Sequence, residues 1–240
     1  MRTSFGFGTR LTRLGKRLLI LYGAVYAAEL LLEHWLGIPL VALLQLYPPG
    51  SENFHFWQIL THPFIHNPQA PIGFLINCLM LYFFAAPVEL ALGSGRFLVL
   101  FYLAALGSAL AGMAFSGVTG FSVPFMGMLP SLLALIVIFG LLNPEATILL
   151  MFILPVKAKY ISYGTAGITL LTFLAKANPA GAYHLGGILC GFTYFKMPGT
   201  LLDPRMIYLK YLQWRLNRRK SRFRVIGGSK GKDDDKPTYH

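Results

Sequence analysis

The chain has 240 residues, of which 55% are hydrophobic and only 12% charged, with a mean hydropathy of +0.57 and a net charge of +12. Soluble domains carry about 25% charged residues, so this chain has too few charges to solvate a globular surface. Its positive charge lies at its two ends, which excludes the folded basic face of a nucleic-acid-binding domain.

Five Lys and Arg residues precede position 18 and twelve follow position 195; between them stand only Arg96, Lys157, Lys159 and Lys176. A cytosolic basic arm is expected over 1–17. The first bilayer crossing is expected at 18–36, because a crossing needs about 20 apolar residues. Arg10, Arg13, Lys16 and Arg17 precede it, as in a signal peptide. The apolar run is long for one, however, and no small-residue cleavage site follows, so it reads as a retained span. Glu29, Glu33 and His34 are expected at its outer interface. Residues 37–70 carry Pro39, Pro48, Pro49, Pro63 and Pro68 and no Lys or Arg. Such a backbone would be unsatisfied in lipid, so an interfacial loop with short amphipathic pieces is expected.

Further spans are expected at 72–92, 97–115, 125–142, 161–175 and 183–195. Residues 146–160 are apolar but interrupted by Pro155, Lys157 and Lys159, and read as a re-entrant or interfacial segment. The fold class is therefore all-α, a six-span bundle over 18–197. An even number of spans puts both termini on one side. That side then holds twenty basic residues and the other only Lys176, so the positive-inside rule selects the cytoplasm. Gly187 and Gly191 form a G-x-x-x-G pair, a spacing that lets membrane helices approach closely. Residues 198–240 form a cytosolic tail. Its first part mixes Ile207, Leu209, Leu212 and Trp214 with Lys210, Arg215 and Arg218, as an amphipathic helix on anionic lipid would. After Gly227 the composition predicts disorder. Cys78 and Cys190 sit in apolar runs as small hydrophobes. No Cys or His spacing suits a metal, and neither metal nor cofactor is expected.

Several segments, in order, resemble the rhomboid family of intramembrane serine proteases. Trp57-Gln58-Ile59-Leu60-Thr61 with Phe64 and His66 resembles the family's W-R-x-x-T-x-x-F-x-H segment, and Asn77 the Asn that follows it. Glu89 with Gly93, Ser94 and Phe97 resembles its E-x-x-x-G-S turn. Pro155 to Tyr160 resembles P-x-K-A-K-Y, and Ala182-Tyr183-His184-Leu185-Gly186-Gly187 the A-H-x-G-G start of the last span. The resemblance implies a Ser-His dyad within the membrane. The Ser belongs to a G-x-S-G motif opening the fourth span and the His to the sixth. A His and an Asn from the second span stabilise the oxyanion. It also implies transmembrane proteins as partners and a bacterial inner membrane as the location.

The departures from that pattern decide the expected activity. At the G-x-S-G position stand Gly127-Met128-Leu129-Pro130. Leu129 occupies the nucleophile position and has no hydroxyl. Pro130 lacks the backbone N–H that would make a natural oxyanion donor. Gly73 stands where the oxyanion His would. His184 remains at the base position and Asn77 at the oxyanion site. Ser131 is an alternative nucleophile, but two helical residues turn a side chain by about 200°, so it would need a shifted register. The expected function is a pseudoprotease that binds transmembrane segments of clients without cleaving them. The alternative is an active intramembrane serine endopeptidase using Ser131 with His184. A transporter is disfavoured, since no run of polar residues lines a pathway and no inverted repeat is visible.

Overall fold

Thr12 starts the first helix by accepting a hydrogen bond from Gly15 N at 3.0 Å, which satisfies one of the free amides of a helix start. Helix α1 (Arg13–Leu30) runs into a π-helical turn, Leu31–Trp35. The computed structural model describes residues 11–121, 123–150, 154–176, 178–197 and 204–220. The expected disordered end of the tail and most of the basic arm lie outside these. In chain order the remaining helices are α2 (Leu40–Leu44), α3 (Gln58–Thr61), α4 (Pro71–Leu92), α5 (Ser94–Thr119), α6 (Leu129–Leu142), α7 (Ala158–Lys176), α8 (Pro179–Lys196) and α9 (Pro204–Lys220). Strands β1 (Thr147–Leu150) and β2 (Leu154–Lys157) lie between α6 and α7.

Among the described residues three helical stretches are long and apolar enough to cross a membrane, Arg13–Trp35, Pro71–Leu92 and Ser94–Thr119. Helix α6 is apolar but shorter. It forms the centre of the bundle: residues 130–140 are buried on nearly every side, as expected of a helix hydrophobic all round. Helices α4, α5, α7 and α8 surround it.

Glycines set the spacing. A Cβ on Gly186 would lie 2.3 Å from Ala111 Cβ and 2.6 Å from the Gly107 carbonyl oxygen, so α5 and α8 touch backbone to backbone. A Cβ on Gly187 would lie 2.6 Å from Pro130 Cβ, and one on Gly191 2.8 Å from Ala134 Cβ, so α8 also lies hard against α6. Gly140 meets α7 in the same way, and Ser162 Oγ donates to Val137 O across that seam at 2.7 Å.

Glu89 ties the ends together. Its buried carboxylate accepts from Ser94 Oγ at 2.6 Å and from Thr12 Oγ1. It thereby joins the start of α1 to the α4–α5 turn, which Gly93 makes at φ +83°.

The segment from α1 to α4 is ordered by side chains that satisfy its backbone. Trp57 Nε1 donates to Leu43 O at 3.1 Å and Thr61 Oγ1 to Leu44 O at 2.7 Å. Gln58, fully buried, donates to Asn53 O at 2.9 Å and accepts from His55 N at 3.1 Å. His62 Nδ1 lies 3.1 Å from Gln58 O, and His66 N donates to Glu29 Oε1 at 3.1 Å. Glu29 thus faces inward on the stripe of Leu18, Tyr22 and Tyr26, not outward at the interface as the sequence suggests. It does so because the interfacial loop folds back over α1 and offers it an amide.

Within the segment expected to be re-entrant or interfacial, Thr147–Leu150 and Leu154–Lys157 pair as antiparallel strands, with Thr147 opposite Lys157 and Leu150 opposite Leu154. Pro155 cannot continue a helix, and in a two-stranded pair it costs only an edge bond. Glu145 closes the hairpin with Lys157 and Lys159, each 2.6 Å away. Those hydrogen bonds hold its carboxyl down to about 2.

Two outcomes follow from this packing. Gly186→Val should lower the thermal midpoint in detergent, equivalent to about 1–3 kcal/mol of overpacking. Gly164→Ala, on an α7 face with nothing within 4 Å, should leave it unchanged or raise it. Equal effects would contradict the close seam. Burial holds His62 and His66 down to about 4, well below an ordinary imidazole. The unfolded chain therefore takes up protons below about 6.5 that the folded chain refuses. Stability should fall between about pH 6.5 and pH 4, by up to about 1.4 kcal/mol per pH unit for each histidine. A midpoint that stays flat across that window would contradict it.

Candidate functional site at the start of α6

The approach to α6 is pinned before the helix begins. Phe125 exchanges backbone hydrogen bonds with Leu46 at 2.8 and 2.9 Å. Its ring packs over Gly112, where a Cβ would come within 2.9 Å, and stacks on Tyr183 with centroids 4.9 Å apart. Gly127 then turns the chain at φ +92°, a conformation glycine adopts without strain. Its amide donates to His62 O at 2.9 Å. Leu129 opens α6 half-buried, and Pro130 occupies the first turn, where its missing N–H is tolerated.

Helix α8 brings the other half. Asn178 Oδ1 caps it through Gly181 N at 2.8 Å. Pro130 meets Gly187 and Ala134 meets Gly191, so α6 and α8 run parallel in a fixed register. That register sets His184 level with Gly127. Tyr183 Oη donates to Gly127 O at 3.3 Å, which confirms the level. The His184 ring is half-buried beside the Tyr183 ring, 5.7 Å between centroids, and makes no hydrogen bond among the described residues.

Ser131 is fully buried, and its Oγ donates to Phe101 O of α5 at 2.7 Å. Its side chain therefore faces α5, while its neighbour Pro130 faces α8. No hydrogen bond joins Ser131 to His184. Asn77 lies half-buried on α4 and makes no hydrogen bond among the described residues. His66 is buried with Nε2 unpartnered, and that nitrogen lies 3.8 Å from where a Cβ of Gly127 would be. Its Nδ1 meets Phe64 O at 3.1 Å, so the neutral ring presents Nε2 as an acceptor. Among the described residues no group of three or more His, Cys, Asp or Glu could hold a metal.

The structure thus brings together Gly127, Pro130, His184 and Gly187, and sets Ser131 apart. Trp57, Thr61, His66, Glu89, Gly93 and Gly186 act on the scaffold around them. The sequence reading passed over Gln58, His62 and Tyr183. For the first two a signal existed: polar side chains in a proline-rich segment whose carbonyls and amides lack partners. Tyr183 carried no comparable signal, because an aromatic in an apolar span is ordinary.

The family model described as the Rhomboid domain matches residues 53–198, more than half of the chain. No curated protein matches the sequence. The matched segment includes α4 to α8 and every side chain placed at the site above, and the chain belongs to the rhomboid family.

Proposed function

We propose that this protein is a rhomboid-fold pseudoprotease, which binds transmembrane segments of client proteins without cleaving them. One observation carries the reading. The position of the nucleophile is Leu129, and the nearest following hydroxyl, Ser131, is committed to the Phe101 carbonyl at 2.7 Å. A serine becomes a nucleophile only when a base takes its proton, and His184, at the base position, has no such partner among the described residues. Six spans, from α1, α4, α5, α6, α7 and α8, put both termini in the cytoplasm, and a bacterial inner membrane suits the basic ends. Helices α4 and α7 each pack on α6 without forming an extended seam with one another. Ile72, Leu75 and Leu79 of α4 and Ile168 and Leu171 of α7 are exposed apolar side chains on these two helices. A client helix entering there would meet Leu129, His184 and Asn77.

Labelling with a fluorophosphonate serine probe in detergent tests the reading. The native chain, Ser131→Ala and His184→Ala should all stay unlabelled beside an active rhomboid. Labelling of the native chain that both substitutions abolish would establish the protease instead. The double change Leu129→Ser with Pro130→Gly supplies the missing hydroxyl and amide. It should gain labelling, and adding His184→Ala should lower that labelling by about 100-fold, the scale of a general base. A double variant that folds and stays unlabelled would show that more than the nucleophile has been lost.

A further inference from the structure

On the side of α8 away from α6, the close seam with α5 leaves a groove between the larger flanking side chains. Its volume is about 680 Å³. Leu103, Leu110 and Ala111 of α5 form one wall, and Leu189 and Thr193 of α8 with Met197 just past its end form the other. Leu110 and Leu189 are more than half exposed. Thr193 Oγ1 is spent on the Leu189 carbonyl at 2.7 Å, so the surface is apolar in effect.

The dimensions select the occupant. Eleven residues separate Gly186 from Met197 along α8, about 16 Å at ~1.5 Å per residue. That is roughly half of the ~30 Å hydrocarbon core, the depth of one leaflet. A transmembrane helix would need a groove twice as long, whereas a lipid acyl chain occupies a single leaflet. The groove reaches the end of α8 that carries charge. Lys196, next to Met197, is exposed, with its ammonium 5.7 Å from the Phe192 ring centroid. Helix α9 contacts α5, which forms the other wall, and carries the exposed cations Lys210 and Arg215. An apolar slot one leaflet deep with Lys196 at its mouth matches an anionic phospholipid.

We infer that the α5–α8 groove is a binding site for one anionic phospholipid, with an acyl chain along Leu110 and Thr193 and the headgroup phosphate at Lys196. The site lies apart from His184 and holds whether or not the protein cleaves anything.

Native mass spectrometry of the full chain tests it. The protein is released from micelles containing equal phosphatidylglycerol and phosphatidylcholine with the same acyl chains. One phosphatidylglycerol should be retained preferentially. Lys196→Gln should lower that preference by about fivefold, the scale of one lysine at a headgroup. Leu110→Trp, at a lipid-exposed position, should fill the groove and lose the adduct. Thr193→Phe is a second way to fill it should the first variant fail to fold, with circular dichroism reporting the fold. Equal retention of the two lipids, or undiminished retention in folded groove variants, would overturn the inference. A dimer in place of the lipid adduct would also overturn it and assign the groove to a second copy of the chain.

Discussion

The close approach of α8 to α5 and α6 is the contact on which the rest depends. Within a bilayer, lipid tails are as apolar as leucine, so helices gain little by hiding apolar surface from them. What remains is van der Waals contact at short range and a few hydrogen bonds. Gly107, Gly186, Gly187 and Gly191 remove the side chains that would keep the backbones apart. The resulting register puts His184 beside the start of α6 and leaves the groove on the opposite side. Both the candidate site and the proposed lipid site are consequences of one seam.

Polar groups are placed by the same economy. Ser131 and Ser162 each donate to a carbonyl of a neighbouring helix. Glu29 caps the loop amide of His66, and Glu89 joins two turns. Each of these bonds fixes one element against another where water is scarce. The proposed reading rests on that use of Ser131. A hydroxyl engaged with a backbone carbonyl in the core supports packing. To act as a nucleophile it would have to give up that bond in the core and turn toward a different helix.

Much of the architecture was legible in the sequence. Apolar length and the placement of basic residues marked the long helices α4 and α5, and the G-x-x-x-G pair marked the α8 seam. That Leu129 brings no hydroxyl to the start of α6 was also legible, because the residue type alone decides it. Three features were not. Glu29 read as an interfacial residue, since a carboxylate in an apolar helix is costly unless a partner is known, and its partner lies 37 positions away at His66. The pairing of strands β1 and β2 was not visible in a segment read as re-entrant or interfacial, since short apolar runs have no periodicity that separates strand from buried helix. The partner of Ser131, the Phe101 carbonyl, required the register of α6 against α5, which no local pattern encodes. The six-span count rests on α6, α7 and α8, shorter or more polar than the three clear spans.

The central claim is that the space beside Leu129 holds a membrane helix and leaves it whole. The most direct measurement places a photoreactive residue at Leu129, crosslinks in the native membrane and determines the intact mass of each adduct. The account predicts uncut membrane proteins that are absent when the same probe sits at the exposed Ile20 of α1. Adducts truncated within a transmembrane segment would contradict it, as would a profile identical to that from Ile20.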